Sequence, residues 1–211
     1  MSYDSGPFFQ KIARGQKHGK AFWLSTCDNV RIRVAHWVST RQFGTVFLFP
    51  GRTEYIEKYG LTAEIVCEYG FDMITIDWRG QGLSDRLSKD PMLGHINNFS
   101  EYQSDLGAAM KFAKKKCLPE PWFILGHSMG GAIGLRAASR DLGFKAAVFT
   151  GPMWGILSPR LLMPLRQVLM KIGIALGYSE KYAPTTSIHS YFATSDFSGN
   201  TLTNDKEMWS Y

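Results

Sequence analysis

The sequence predicts an α/β fold: a mostly parallel sheet with helices on both faces. Two observations carry this. Short continuous apolar runs, Thr45 to Phe49, Phe71 to Ile76, Trp122 to Leu125 and Lys145 to Thr150, alternate with segments of helical spacing. That order is the signature of parallel strands joined by crossover helices. The second is Gly126-His127-Ser128-Met129-Gly130, placed between the run Trp122–Leu125 and the helix-like Ala132–Ala138. A G-x-S-x-G turn between strand and helix lifts a serine hydroxyl clear of the sheet.

In chain order, residues 1–19 read as a polar arm. Ala21 to Thr26 and Val30 to Val38 read as two strands of a hairpin, with the turn at Asp28-Asn29. Thr45 to Phe49 is continuous and apolar, as in a strand buried on both faces, and Pro50-Gly51 breaks it. Glu54 to Tyr69 has helical spacing at Ile56, Leu61, Ile65 and Val66, with Gly70 as its C-terminal cap. The next strand ends at Asp77, and a loop follows, Trp78 to Asp85. Ser100 is expected to open a helix, with Gln103 completing a capping box. Lys114, Lys115 and Lys116 close that helix, where cations suit the negative end of its dipole. The serine turn, its helix through Asp141, and a last strand complete a core over residues 20–151. Strand–helix alternation stops at Gly151-Pro152, so residues 152–211 read as an incomplete cap or lid inserted over the sheet.

Composition bounds the function. The 211 residues, 45% hydrophobic and 20% charged, suffice for one domain with a sizeable core. A net charge of +6 favours anionic surfaces, though a mildly basic surface without a partner explains it equally. No basic patch interleaved with aromatics occurs, so nucleic acid is not an expected partner. Cys27, Cys67 and Cys117 are odd in number and widely spaced, which fits reduced thiols in a cytoplasmic setting better than a disulfide framework or a zinc site. No metal or cofactor is expected. The first twenty residues carry Asp4, Lys11, Arg14, Lys17 and Lys20 and are no secretory signal. Leu161 to Leu176 is broken by Pro164, Arg166, Gln167 and Lys171 and is no membrane span.

A serine hydroxyl is a weak nucleophile. It requires a base, a group that orients the base, and donors for the oxyanion. Ser128 is the candidate nucleophile. One donor is expected to be the N–H of Met129, and the other to come from Pro50-Gly51-Arg52, with the Arg52 N–H turned into the site. Gly126 and Gly130 are expected because side chains there would strike the strand or helix that the turn joins, and Gly51 because it permits a tight turn. The base and acid should follow the serine in the order acid, then histidine. Of the five histidines, His18, His36 and His95 precede it and His127 adjoins it. His189, with Asp196 or Asp205, would reverse the order. The sequence therefore reads as the N-terminal part of a longer protein whose acid and histidine lie beyond Tyr211.

The chain resembles bacterial lysophospholipases of the α/β-hydrolase fold, relatives of monoacylglycerol lipases and serine aminopeptidases. The matching residues are Phe49–Tyr55, Ile76–Ser84, Asp90–His95, Gly126–Ala132 and Gly151–Ile156. The resemblance implies Ser128 as nucleophile, Arg52 and Met129 as oxyanion donors, Asp77 and Arg79 as braces of the surrounding loops, and His95 as a structural residue. It also implies that the insertion is a helical cap shaping an acyl pocket, with Trp154, Leu161 and Leu165 among its lining. The expected activity is hydrolysis of lysophospholipid or monoacylglycerol esters. A small-ester esterase or aminopeptidase of the same fold is the alternative, and an inactive fragment lacking its acid and histidine is a second. The cap's apolar residues Leu161, Leu162, Leu165, Val168, Leu169, Ile172 and Leu176 either pack on the core or also meet an acyl chain and a lipid surface. In the latter case the protein would sit peripherally at the anionic inner face of a membrane.

Overall fold

Each apolar run of the sequence forms a strand of one sheet. A computed structural model describes residues 3–15, 18–155, 163–182, 197–199 and 204–206. The strands are β1 (Ser5–Gly6), β2 (Lys20–Ser25), β3 (Arg31–Trp37), β4 (Thr45–Phe49), β5 (Asp72–Asp77), β6 (Trp122–His127) and β7 (Phe144–Thr150). The helices are α1 (Gln10–Ala13), α2 (Gly60–Glu68), α3 (Tyr102–Lys115), α4 (Met129–Ala138) and α5 (Met163–Ala175). The spatial order is β1-β2-β3-β5-β4-β6-β7. β1, β2 and β3 run antiparallel to their neighbours, while β5, β4, β6 and β7 are mutually parallel. The hairpin turn falls at Asn29, whose φ of 63° lies in the left-handed region that asparagine tolerates.

The inner parallel strands β4 and β5 are covered on both faces, which is why their sequences are continuous rather than alternating, whereas the edge strand β7 is largely exposed. All six residues of β5 are buried. On one face Val34, Phe47, Phe49, Ile74 and Ile76 pack with Leu106 and Phe112 of α3 and Ile133 of α4. On the other, Ala35, Trp37, Leu48 and Met73 meet Ile56 and Ala63. Helix α3 buries Tyr102, Leu106, Ala109, Phe112 and Ala113, one stripe at helical spacing. Burial of Leu106 and Phe112 contributes about 1.5–3 kcal/mol each. That far exceeds the loss of about 1 kcal/mol from Gly107 in mid-helix.

Three local expectations require correction. Residues 3–15 belong to the fold rather than forming a polar arm, because apolar anchors are interleaved with the charges. β1 pairs with β2, the Tyr3 ring meets Phe112 at 4.9 Å, and Phe8 meets Trp37 at 5.5 Å. The helix expected from Glu54 begins as a 3-10 turn at Ile56–Tyr59 and becomes α-helical only at Gly60, where α1 presses so close that a Cβ would lie 1.9 Å from the Ala13 carbonyl oxygen. The cap before α3 is Asn98, whose side chain accepts the Ser100 N–H at 2.9 Å. Gln103 instead donates to the Ile133 carbonyl at 3.2 Å and links α3 to α4. Among the described residues no helix is long and apolar enough to cross a membrane.

Two glycines give opposite expectations. Gly60→Ala should destabilise the fold by about 1–3 kcal/mol, since the obstacle is backbone. Gly107 has nothing within 4 Å of an added Cβ, so Gly107→Ala should stabilise by about 0.5–1 kcal/mol. Urea unfolding of the two variants checks both signs.

Candidate active site

The turn between β6 and α4 places Ser128 at φ 49° and ψ −117°, a conformation that a non-glycine residue adopts only under constraint. The constraint is visible. Ser128 N–H donates to the Thr150 carbonyl at 3.0 Å, and the Ser128 carbonyl accepts from Gly131 and Met153, each at 3.0 Å. The turn is thus pinned to the end of β7 and to the segment after it. A Cβ on Gly130 would lie 2.0 Å from the Phe49 carbonyl oxygen, and one on Gly126 would lie 2.9 Å from the Gly131 Cα. Gly126 is therefore required by the helix, as the sequence implied. Gly130 is required by the end of the neighbouring strand β4, not by an element that the turn joins.

The loop after β4 lies against this turn. A Cβ on Gly51 would be 3.1 Å from Ser128 Cβ and 3.0 Å from Glu54 Oε2. An added Cβ would be tight against both groups, so glycine eases the close approach; positive φ occurs instead at Thr53, at 65°. The Trp78 indole donates to the Pro50 carbonyl at 3.0 Å and ties this loop to the end of β5. Gly51 N–H donates to Glu54. The N–H groups of Arg52 and Met129 donate to no acceptor among the described residues; Met129 opens α4, where no intrahelical acceptor exists. The Arg52 guanidinium reaches outward to the Leu93 carbonyl at 3.1 Å.

Asp77 and Arg79 sit at the exit of β5, each at the centre of a buried network. Asp77 accepts from Arg33 Nε at 2.8 Å and from the N–H groups of Ile56 and Leu83, both at 2.8 Å. Burial pushes its carboxyl up to about 6, and Arg33 and the two amides limit the rise. Arg33 also forms a two-pronged pair with Glu57, both bonds 2.9 Å. Arg79 grips Asp105 through Nε at 2.8 Å and Asp28 through Nη1 at 2.6 Å. Burial likewise raises Asp105 to about 6 against the pull of Arg79, whereas the hydrogen bond from Arg79 holds Asp28 down at about 2. Neither Asp77 nor Arg79 contacts Ser128. They fix the loops at 52–57 and 78–85 and the β2–β3 turn.

His127 turns its ring from the serine: Nδ1 is 2.9 Å from Thr150 Oγ1 and Nε2 is 3.9 Å from Glu54 Oε1. His95 contacts Asn97 at 3.0 Å. Trp154 and Leu165 are open to solvent, Trp154 meeting Phe149 edge-on at 5.4 Å. The apolar residues of α5, Val168, Leu169 and Ile172 among them, are exposed as well. Leu161, Leu162, His189 and Asp196 lie outside the described residues. Among the described residues no group of three or more His, Cys, Asp or Glu side chains could hold a metal ion.

Sequence reasoning missed Glu54, Glu57, Arg33, Asp105 and the Trp78 indole. Arg33, Glu57, Asp105 and Trp78 meet partners from segments brought together only by the sheet order, whereas Glu54 bonds to near neighbours, Gly51, Lys58 and Tyr59, whose spacing alone does not mark a site.

The parallel sheet and the serine held at a strand-to-helix turn define an α/β hydrolase. Solved structures agree: the α/β hydrolase GrgF from Penicillium sp. sh18 superposes with a TM-score of 0.60 at 20% identity, over 75% of this chain and 55% of its own. The chain belongs to the family described as serine aminopeptidase, S33, which matches residues 40–207. It is 39% identical to lysophospholipase L2 of Escherichia coli K12 over 146 residues, 67% of this chain and 42% of that protein. It is 27% identical to a probable lysophospholipase L2 of Haemophilus influenzae over 180 residues, 83% of this chain and 54% of that one. The chain thus spans about half the length of these relatives.

The seat of the serine turn is open to a direct test. Gly130→Ala should destabilise the fold by about 1–3 kcal/mol, since the obstacle is backbone. Gly155→Ala, with nothing within 4 Å of an added Cβ, should leave stability nearly unchanged. Equal urea-unfolding midpoints in the two variants would refute the close contact.

Proposed function

We propose that this protein is a serine hydrolase cleaving the carboxylic ester of lysophospholipids or monoacylglycerols. The observation that carries the reading is the strained Ser128 at the strand-to-helix turn, set against the loop after β4. Its hydroxyl attacks the acyl carbonyl, and the carbonyl oxygen becomes an oxyanion. The N–H groups of Met129 and Arg52 receive that charge. Both are uncommitted among the described residues, and loss of one such donor typically costs about 100- to 1,000-fold in rate. The tetrahedral intermediate collapses to an acyl-enzyme on Ser128 with departure of the glycerol-linked alcohol. Water then releases the fatty acid.

The proton acceptor comes from outside the described residues, because His127 is turned to Thr150 and Glu54. Following the sequence order of this fold, we assign the acid and histidine to polypeptide beyond Tyr211, and the chain of 211 residues alone is expected to be inactive. The lipid substrate is supported by the relatives' names as lysophospholipases and by the apolar, solvent-open surface of α5. The same surface, with the net charge of +6, supports peripheral contact with an anionic membrane face.

The protein from its complete reading frame should release fatty acid from a long-chain lysophospholipid. Ser128→Ala should reduce release at least about 1,000-fold. His189→Ala should leave it unchanged, and its loss in that variant would place the base within the cap. Peptide hydrolysis exceeding lipid hydrolysis would move the assignment to an aminopeptidase.

A further inference from the structure

Glu54 is a buried carboxylate that no step above uses. It lies three residues after Gly51, and several groups converge on it. Its Oε2 accepts both the Gly51 N–H and the Tyr59 hydroxyl, the latter at 2.5 Å. Its Oε1 accepts Lys58 Nζ at 2.7 Å, and His127 Nε2 stands 3.9 Å from the same oxygen. A Cβ added to Gly51 would meet this carboxylate at 3.0 Å and the Cβ of Ser128 at 3.1 Å, so carboxylate, glycine and serine are packed together. One consequence follows for the loop's donors. Pro50 has no N–H, and the Gly51 N–H is taken by Glu54, so Arg52 is the first residue of the loop with an amide left for an oxyanion.

We propose that Glu54 is a positioning residue for the oxyanion hole: Oε2 fastens the Gly51 N–H, holding the Gly51–Arg52 backbone against Ser128 with the Arg52 amide open to the acyl oxygen. This rests on the reading of Ser128 as nucleophile. The role is geometric. Both oxygens of Glu54 are already engaged, Oε2 by the Gly51 N–H and the Tyr59 hydroxyl and Oε1 by Lys58. A bare carboxylate at this place would also oppose the developing oxyanion by like-charge repulsion. The Lys58 ammonium on Oε1 offsets it, leaving the amide dipoles to act on the acyl oxygen. Burial works against the charge on Glu54, but Lys58 and Tyr59 outweigh it and hold the carboxyl below its ordinary value.

The pattern of bonds supplies a test, because Gly51 and Tyr59 share one oxygen. Glu54→Gln can keep that acceptor and gives up only Lys58, which is 36% exposed and can turn to water. Glu54→Asp keeps the charge but is one methylene too short to hold Gly51. With the protein from the complete reading frame, p-nitrophenyl ester hydrolysis is measured per site titrated by a fluorophosphonate. Glu54→Gln should keep kcat within about threefold of the wild type, and Glu54→Asp should lose about 10- to 100-fold in kcat at unchanged KM. Wild-type kcat in Glu54→Asp would overturn the proposal, as would a loss in Glu54→Gln equal to that in Glu54→Asp. Full ester hydrolysis by Ser128→Ala would instead overturn the nucleophile itself, whatever Glu54 does.

Discussion

One steric contact organises the site: Gly130 lies against the carbonyl ends of Phe49 and Pro50, where a Cβ would come within 2.0 and 2.5 Å of their oxygens. The helix after the serine can start only where the neighbouring strand stops, so the serine turn and the loop after β4 must meet. The left-handed φ at Ser128 follows from that meeting and from the hydrogen bond to Thr150. Such a backbone costs about 1–3 kcal/mol, and it persists because β7, α4 and the β4 loop fix it from three sides.

Buried charge supplies the second level of order. Asp77 with Arg33 and Glu57, and Arg79 with Asp28 and Asp105, join segments up to 51 residues apart in sequence. A buried ion pair need not add net stability, yet removal of one partner typically costs about 3–5 kcal/mol. These networks therefore specify which loops lie beside Ser128 more than they strengthen the core. A Cβ on Gly82 would fall 2.1 Å from the Asp77 carboxyl carbon, so the loop's path and the carboxylate's position define one another.

The strands were legible in the sequence because each of β4, β5, β6 and β7 carries a continuous apolar run; burial on both faces explains it for β4 and β5, while β7 stands exposed at the sheet edge. The serine turn was legible because its glycines and flanking elements are local. Where contacts are long-range, local reading fell short. The capping box at Ser100 and Gln103 gave way to Asn98, since Gln103 had a better partner in the Ile133 carbonyl. Residues 3–15 read as polar although Tyr3 and Phe8 anchor them. Glu54 was invisible as a functional residue because its meaning depends on Gly51, Tyr59 and Ser128 converging in space.

The proposed role of Ser128 in acyl transfer rests on its presentation by this junction of turn and loop. A fluorophosphonate applied to the protein from its complete reading frame, followed by digestion and peptide mass spectrometry, tests it most directly. The account requires the phosphonate on Ser128 and no labelling once that residue is alanine. Labelling of a different serine, or none at all in a protein that hydrolyses esters, would contradict it.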